Sequence, residues 1–186
     1  MKVLKKDIKK GINILTIGYF DIDNYCDADK LKTIIKKLTQ ENQYYFECYG
    51  ENFFLEEEEI LKYRTEIPKY INKSGIYKLK RKYGKEHEES ISSLKITEEI
   101  YDQIIMMWDY FEVIEFFNPT NILSWKRFEE TYYKIRPVEY GIGLVKKKYA
   151  DAVFTKGHDG DNLIFVYGPN YDETLVIEVI NIIESS

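Results

Sequence analysis

The stretch Tyr149–Ile183, YADAVFTKGHDGDNLIFVYGPNYDETLVIEVINII, decides how this chain is read. Ala152-Val153-Phe154-Thr155 is a short strand pattern. Lys156 to Asp161 follows as a turn, because Asp159-Gly160 supplies the positive φ that a tight hairpin needs. Leu163 to Tyr167 is apolar at nearly every position, which predicts a central strand covered on both faces. Gly168-Pro169-Asn170 marks a second turn, with Tyr171, Asp172 and Glu173 behind it. Thr174 to Ile182 then reads as a third strand, with Leu175, Ile177 and Val179 on one side and Val176, Glu178 and Ile180 on the other. Strands this close together predict an antiparallel meander, since parallel partners need a long crossover.

Working outward, two amphipathic segments precede this stretch. Ile100, Ile104, Trp108 and Phe111 form an apolar stripe after Thr97, and Trp125, Phe128, Tyr132 and Ile135 form another before Arg136-Pro137. Tyr110 to Phe117 fits a continuing helix or a strand equally well. The expected fold is α+β: a C-terminal antiparallel meander covered by two or more amphipathic helices. An N-terminal strand-helix-strand segment precedes them. Gly11 to Phe20 is its first strand, and Tyr44 to Leu55 is its second. Leu31, Ile34, Ile35 and Leu38, spaced i, i+3, i+4 and i+7, form the helix between them. Glu56 to Glu59 opens a further helix, expected to end before Pro68. Ile76 to Tyr83 alternates Tyr77, Leu79 and Tyr83 with Lys78, Lys80 and Lys82, the pattern of an edge strand guarded by lysines. Residues 84–93 read as a charged flexible loop within one domain spanning 1–186, and Val138 to Val145 as another strand.

With 186 residues and 44% hydrophobic composition, the chain has ample material for a core. Its 17 Tyr and 10 Phe fit an AT-rich coding bias, or a surface that binds protein through tyrosine. Residues 97–186 carry 8 basic and 16 acidic residues, against 19 and 16 in residues 1–96. Such an acidic half either keeps a surface solvated or steers a cationic partner. No run reaches the ~20 apolar residues of a membrane span. No secretion signal is read at the N-terminus, so the expected location is the cytoplasm, with Cys26 and Cys48 as thiols.

Candidate chemistry is sparse. His158, Asp159 and Asp161 could ligate a metal in a small metal-assisted enzyme, but no second ligand cluster accompanies them and a polar hairpin turn explains them as well. His87 lies among glutamates with no nucleophile nearby, and Gly141-x-Gly143 does not continue into a nucleotide-binding fingerprint. Lys78, Lys80, Lys82 and Lys146 to Lys148 could contact nucleic acid, against which the net charge of −5 argues. No catalytic residue, cofactor or metal is expected. In general character — small, acidic in one half, rich in aromatics and poor in motifs — the chain is similar to the immunity proteins of bacterial toxin systems. That resemblance covers the whole chain and rests on no motif. It implies a cytosolic inhibitor that binds a cognate toxin, such as a basic nuclease, tightly and directly. Asp159, Asp161, Tyr171, Asp172 and Glu173 are the expected partner-binding residues, because turns are the most exposed segments.

Overall fold

The computed structural model describes residues 1–40, 45–51, 55–74, 77–83, 86–93, 98–119, 141–157 and 162–185. Among the described residues, eight strands form one sheet: β1 (Lys2–Lys9), β2 (Ile12–Gly18), β3 (Tyr45–Glu51), β4 (Tyr77–Tyr83), β5 (Glu86–Ser93), β6 (Phe111–Pro119), β7 (Ala150–Lys156) and β8 (Asn162–Tyr167). Their order is β1-β2-β8-β7-β6-β3-β5-β4, and every neighbouring pair is antiparallel. The helices are α1 (Tyr25–Gln40), α2 (Glu57–Ser74), α3 (Glu98–Tyr110), α4 (Ile142–Lys146) and α5 (Glu173–Glu184). The fold is α+β, with an antiparallel sheet and amphipathic helices laid over it.

The apolar run Leu163–Tyr167 is central. β8 pairs with β2 on one side and β7 on the other. Leu163, Phe165 and Val166 are fully buried, as a strand covered on both faces requires. Side chains alternate across it. Leu15, Phe165, Phe154 and Phe116 stand in register on one face and belong to the larger core, together with Leu31, Ile34, Ile35 and Leu38 of α1 and Val176, Val179 and Ile183 of α5. Ring centroids along this row lie 6.3 Å apart for Phe116–Phe154 and 6.0 Å for Phe154–Phe165, within the range in which tilted aromatic pairs attract. The opposite face carries Ile12, Val153 and Val166, packed against Ile142, Leu144 and Val145 of α4.

Helix α1 follows its sequence pattern: all four stripe residues are buried. It is tied to its neighbours by polar contacts at both ends. Thr39 is hydrogen-bonded to Tyr101 of α3, Lys37 pairs with Glu178 of α5 at 2.9 Å, and the Lys30 ammonium donates to the carbonyls of Ile183 and Ser185 at the end of α5. Cations suit a helix C-terminus, where carbonyls lack intrahelical donors.

Four expectations are corrected and one open alternative is resolved. First, Thr174–Ile182 is not a strand but most of α5. The Asp172 carboxylate accepts from the Thr174 N–H at 2.8 Å and caps the helix. Leu175, Val176, Val179 and Ile183 then form its buried face, so capping and packing override the strand preference of Val and Ile. The meander survives with a different third strand, since β6 pairs with β7 and β7 with β8. Second, the ambiguous run after Tyr110 is that strand, and it follows α3 directly. Third, residues 86–93 are β5 rather than a loop. Register with β4 sets Lys80 opposite Glu89, Arg81 opposite Glu88 and Lys82 opposite His87; the first two are positions of opposite charge, which favour cross-strand pairing. Fourth, α2 continues through Pro68 to Ser74; a proline within a helix removes one hydrogen bond without forcing an end. Fifth, within the Val138–Val145 run, residues 142–145 are helical. Gly141 starts this turn at φ 78, where a Cβ would lie 2.8 Å from Val153. The helix expected at residues 121–135 lies outside the described residues.

Register also places the ends of the sheet. The β1–β2 turn at Lys10 and Gly11, both at positive φ as a two-residue I′ turn needs, shares one end with Tyr167, Ala150 and Pro119. Gly18, Asn162, Lys156 and Phe111 share the other end.

Candidate functional site

Of the expected partner-binding residues, Tyr171, Asp172 and Glu173 fall among the described residues. Asp159 and Asp161 lie outside the described residues, as does His158. Their flanking residues Gly157 and Asn162, joined by a hydrogen bond from the Gly157 N–H to the Asn162 carbonyl at 2.8 Å, sit at the Gly18 end of the sheet. Tyr171, Asp172 and Glu173 follow β8 and sit at the opposite end. Tyr171 is half-buried, with its ring 5.6 Å from Phe165 and 5.9 Å from Tyr167. Asp172 is exposed and its carboxylate caps α5; Glu173 is exposed in the first helical turn. Both acids are placed where the helix dipole favours them, so part of their role is structural. Among the described residues, no group of three or more His, Cys, Asp or Glu is placed to hold a metal. No helix among them is long and apolar enough to cross a membrane.

Carboxylates gather instead at the Gly18 end, from three segments distant in sequence. The segment after β2 supplies Asp21 and Asp23, where the Asp23 N–H donates to the Asp21 carboxylate at 3.0 Å and the Asp21 N–H donates to Asp27 at 3.1 Å. These local bonds make the compact turn that launches α1, whose Cys26 and Asp27 N–H groups both donate to the Asn24 side chain. The start of α2 supplies Glu56 to Glu59, with the Glu56 N–H donating to the Glu59 carboxylate at 3.0 Å. The end of α3 supplies Asp109, which accepts the hydroxyl of Tyr63. Tyr63 sits among these groups. Its phenol is pushed well above the ordinary tyrosine range by partial burial, then by its hydrogen bond to Asp109 and by the negative charges of Asp109, Glu59 and Asp23.

This end also exposes aromatic surface. Tyr25, at the start of α1, is 83% exposed, and Tyr19 is 64% exposed. Tyr19 occupies the left-handed region at φ 31, and the Lys2 ammonium lies 4.9 Å from its ring centre. Exposed tyrosines bordered by charge are the composition of protein-binding surfaces.

A buried lysine holds the scaffold beneath. Lys156, the last residue of β7, is 8% exposed and its ammonium donates to the carbonyls of Trp108 at 2.6 Å and Phe111 at 2.8 Å. These carbonyls bracket Asp109 at the point where α3 passes into β6 without a loop. Lys156 thereby fixes the turn that presents Asp109. From sequence, this residue reads as the opening of a hairpin turn, and nothing marks it as a cap.

The opposite end is different in character. There a cleft of about 630 Å³ is bounded by the β1–β2 turn, the α4–β7 turn and the segment from Gly168 to Leu175. Tyr171 and Asp172 line it together with Lys10, Lys146 and Lys148. Of the other lysines singled out from sequence, Lys78, Lys80 and Lys82 belong to β4, which is an edge strand of the sheet.

The acids of residues 21–29 and 56–59 read in sequence as helix starts, which they are. Their convergence escapes a residue-by-residue reading because it is made by the strand order, which brings the ends of β2 and β3 and the start of β6 to one side of the sheet. No family model, curated protein or solved structure gives a significant match to this chain.

Proposed function

We propose that the protein is a protein-binding inhibitor of the immunity type. It acts in the cytoplasm and captures a basic toxin domain, such as a nuclease, on the acidic end of its sheet. The observation that carries the reading is the convergence of Asp23, Glu59 and Asp109 around Tyr63, beside the exposed rings of Tyr19 and Tyr25. Clustered carboxylates accelerate encounter with a positive surface and orient it, an effect that falls steeply with salt. Exposed tyrosines then add contact area at low entropy cost, and such anchors slow dissociation. Occupying the cationic cleft by which a nuclease holds its substrate would block activity without any chemistry by the inhibitor.

The test is charge reversal at exposed positions that do not support the fold. Asp23→Lys with Glu58→Lys is expected to lower the association rate with a captured basic partner by more than tenfold at low ionic strength. The salt dependence of the rate should flatten, and dissociation should change little. An unchanged rate, or capture of nucleic acid in place of a protein, would remove the acidic end from the account.

A further inference from the structure

We infer that the cleft at the other end of the sheet is a binding site for an organic phosphate of nucleotide size. The inference stands apart from the acidic end and does not depend on it. The volume, about 630 Å³, falls within the ~300–1,000 Å³ of small-molecule sites. Three lysines face it from two separate turns: Lys10 from the β1–β2 turn, and Lys146 and Lys148 from the α4–β7 turn. Against them stand Asp151 and Asp172, and the Asp172 carboxylate is engaged in capping α5. The apolar side of the cleft, including Leu175 beside Tyr171, offers a surface for the organic part of a ligand.

Backbone conformation strengthens the case for the lysines. Lys10 has φ 56 and Lys148 has φ 59, and both therefore occupy the left-handed region. Glycine or asparagine would sit there with less strain, and Asn-Gly is the favoured pair for an I′ turn such as Lys10-Gly11. Two of the three non-glycine residues with positive φ among the described residues are thus lysines on one cleft. Several ammonium groups lining one cleft match a multiply charged phosphate better than a single carboxylate.

The experiment uses the full chain and three probes: ADP, pyrophosphate and adenosine, each followed by titration calorimetry and by the shift in thermal midpoint. ADP is expected to bind most tightly, with pyrophosphate weaker and adenosine weakest. Lys148→Gly is expected to raise the midpoint of the unliganded protein, and Lys10→Asn and Lys148→Gly are each expected to weaken ADP binding at least tenfold. That opposite movement separates a binding role from a merely structural one, since a lysine kept for folding would lower the midpoint when replaced. The inference is overturned if neither ADP nor pyrophosphate binds, if adenosine binds as well as ADP, or if both variants retain full ADP affinity.

Discussion

Replacing Lys156 by methionine tests how the acidic end is supported. Methionine keeps a similar length and removes the ammonium. The lost groups are two hydrogen bonds, to the carbonyls of Trp108 at 2.6 Å and Phe111 at 2.8 Å, from a side chain only 8% exposed. A hydrogen bond to a charged group contributes about 1.5–3 kcal/mol, so the gross loss is roughly 3–6 kcal/mol. Against it stands the desolvation of a buried ammonium, which the substitution relieves and which amounts to several kcal/mol in proteins. Because the carbonyls stay buried without that donor, the loss should win, and the expected net cost is about 2–4 kcal/mol. In a domain of this size, each kcal/mol lowers the thermal midpoint by about 2–4 °C. The assay is urea unfolding, in which the midpoint should fall while the slope stays constant. Lys5→Met, on the exposed edge strand with an ion pair to Asp7, serves as the control and should cost less than about 1 kcal/mol. A Lys156→Met protein within about 0.5 kcal/mol of the parent would refute the reasoning, because the ammonium's desolvation would then cancel its two bonds.

Two further outcomes follow from the same structure. Asp172→Ala removes the cap of α5 and should destabilise the protein by roughly 0.5–2 kcal/mol, whereas Glu173→Ala, exposed in the first turn, should cost only a few tenths; chemical denaturation distinguishes them. Tyr63→Phe changes the response to alkali. With a folded pKa raised above the unfolded value of about 10, Tyr63 contributes its stability fully below pH 10, and that contribution is lost as pH rises through and beyond 10 while the unfolded chain sheds its proton first. The parent should therefore lose stability more steeply than the variant between about pH 10 and 11.5, and parallel curves would count against the environment described for Tyr63.

What could be read from sequence was whatever a short window contains. The stripe Leu31, Ile34, Ile35 and Leu38 defines α1 because a helical period is complete within eight residues, and its four members are buried. The run Leu163–Tyr167 announces a central strand because only a doubly covered strand is apolar throughout. Where local and tertiary preferences compete, the window fails. Thr174–Ile182 has the β-branched composition of a strand, yet one carboxylate at Asp172 and a buried face shared with α1 make it helical. The sequence of β5 looks like solvated loop until register with β4 sets Lys80 opposite Glu89 and Arg81 opposite Glu88. The candidate site was the least legible. Asp23, Glu59 and Asp109 meet because β2 and β3 end, and β6 begins, on the same side of the sheet, and a strand order carries no signature in any one segment. Most of the described carboxylates at that end, Asp21, Asp23 and Glu56 to Glu59, come from the N-terminal half, whereas summed charge draws attention to the C-terminal half.

The central claim is that a basic protein partner docks on the acidic end. The most direct measurement places a photo-crosslinking aromatic residue at Tyr25, 83% exposed on that end, and a second one at Ile177, 56% exposed on α5. Irradiation in the native cells, followed by mass spectrometry, reads which position touches what. The account predicts one basic protein joined through position 25, absent at position 177, and lost when Asp23 and Glu58 are reversed to lysine. An acidic partner, a partner joined only at position 177, or an adduct indifferent to charge reversal would contradict it.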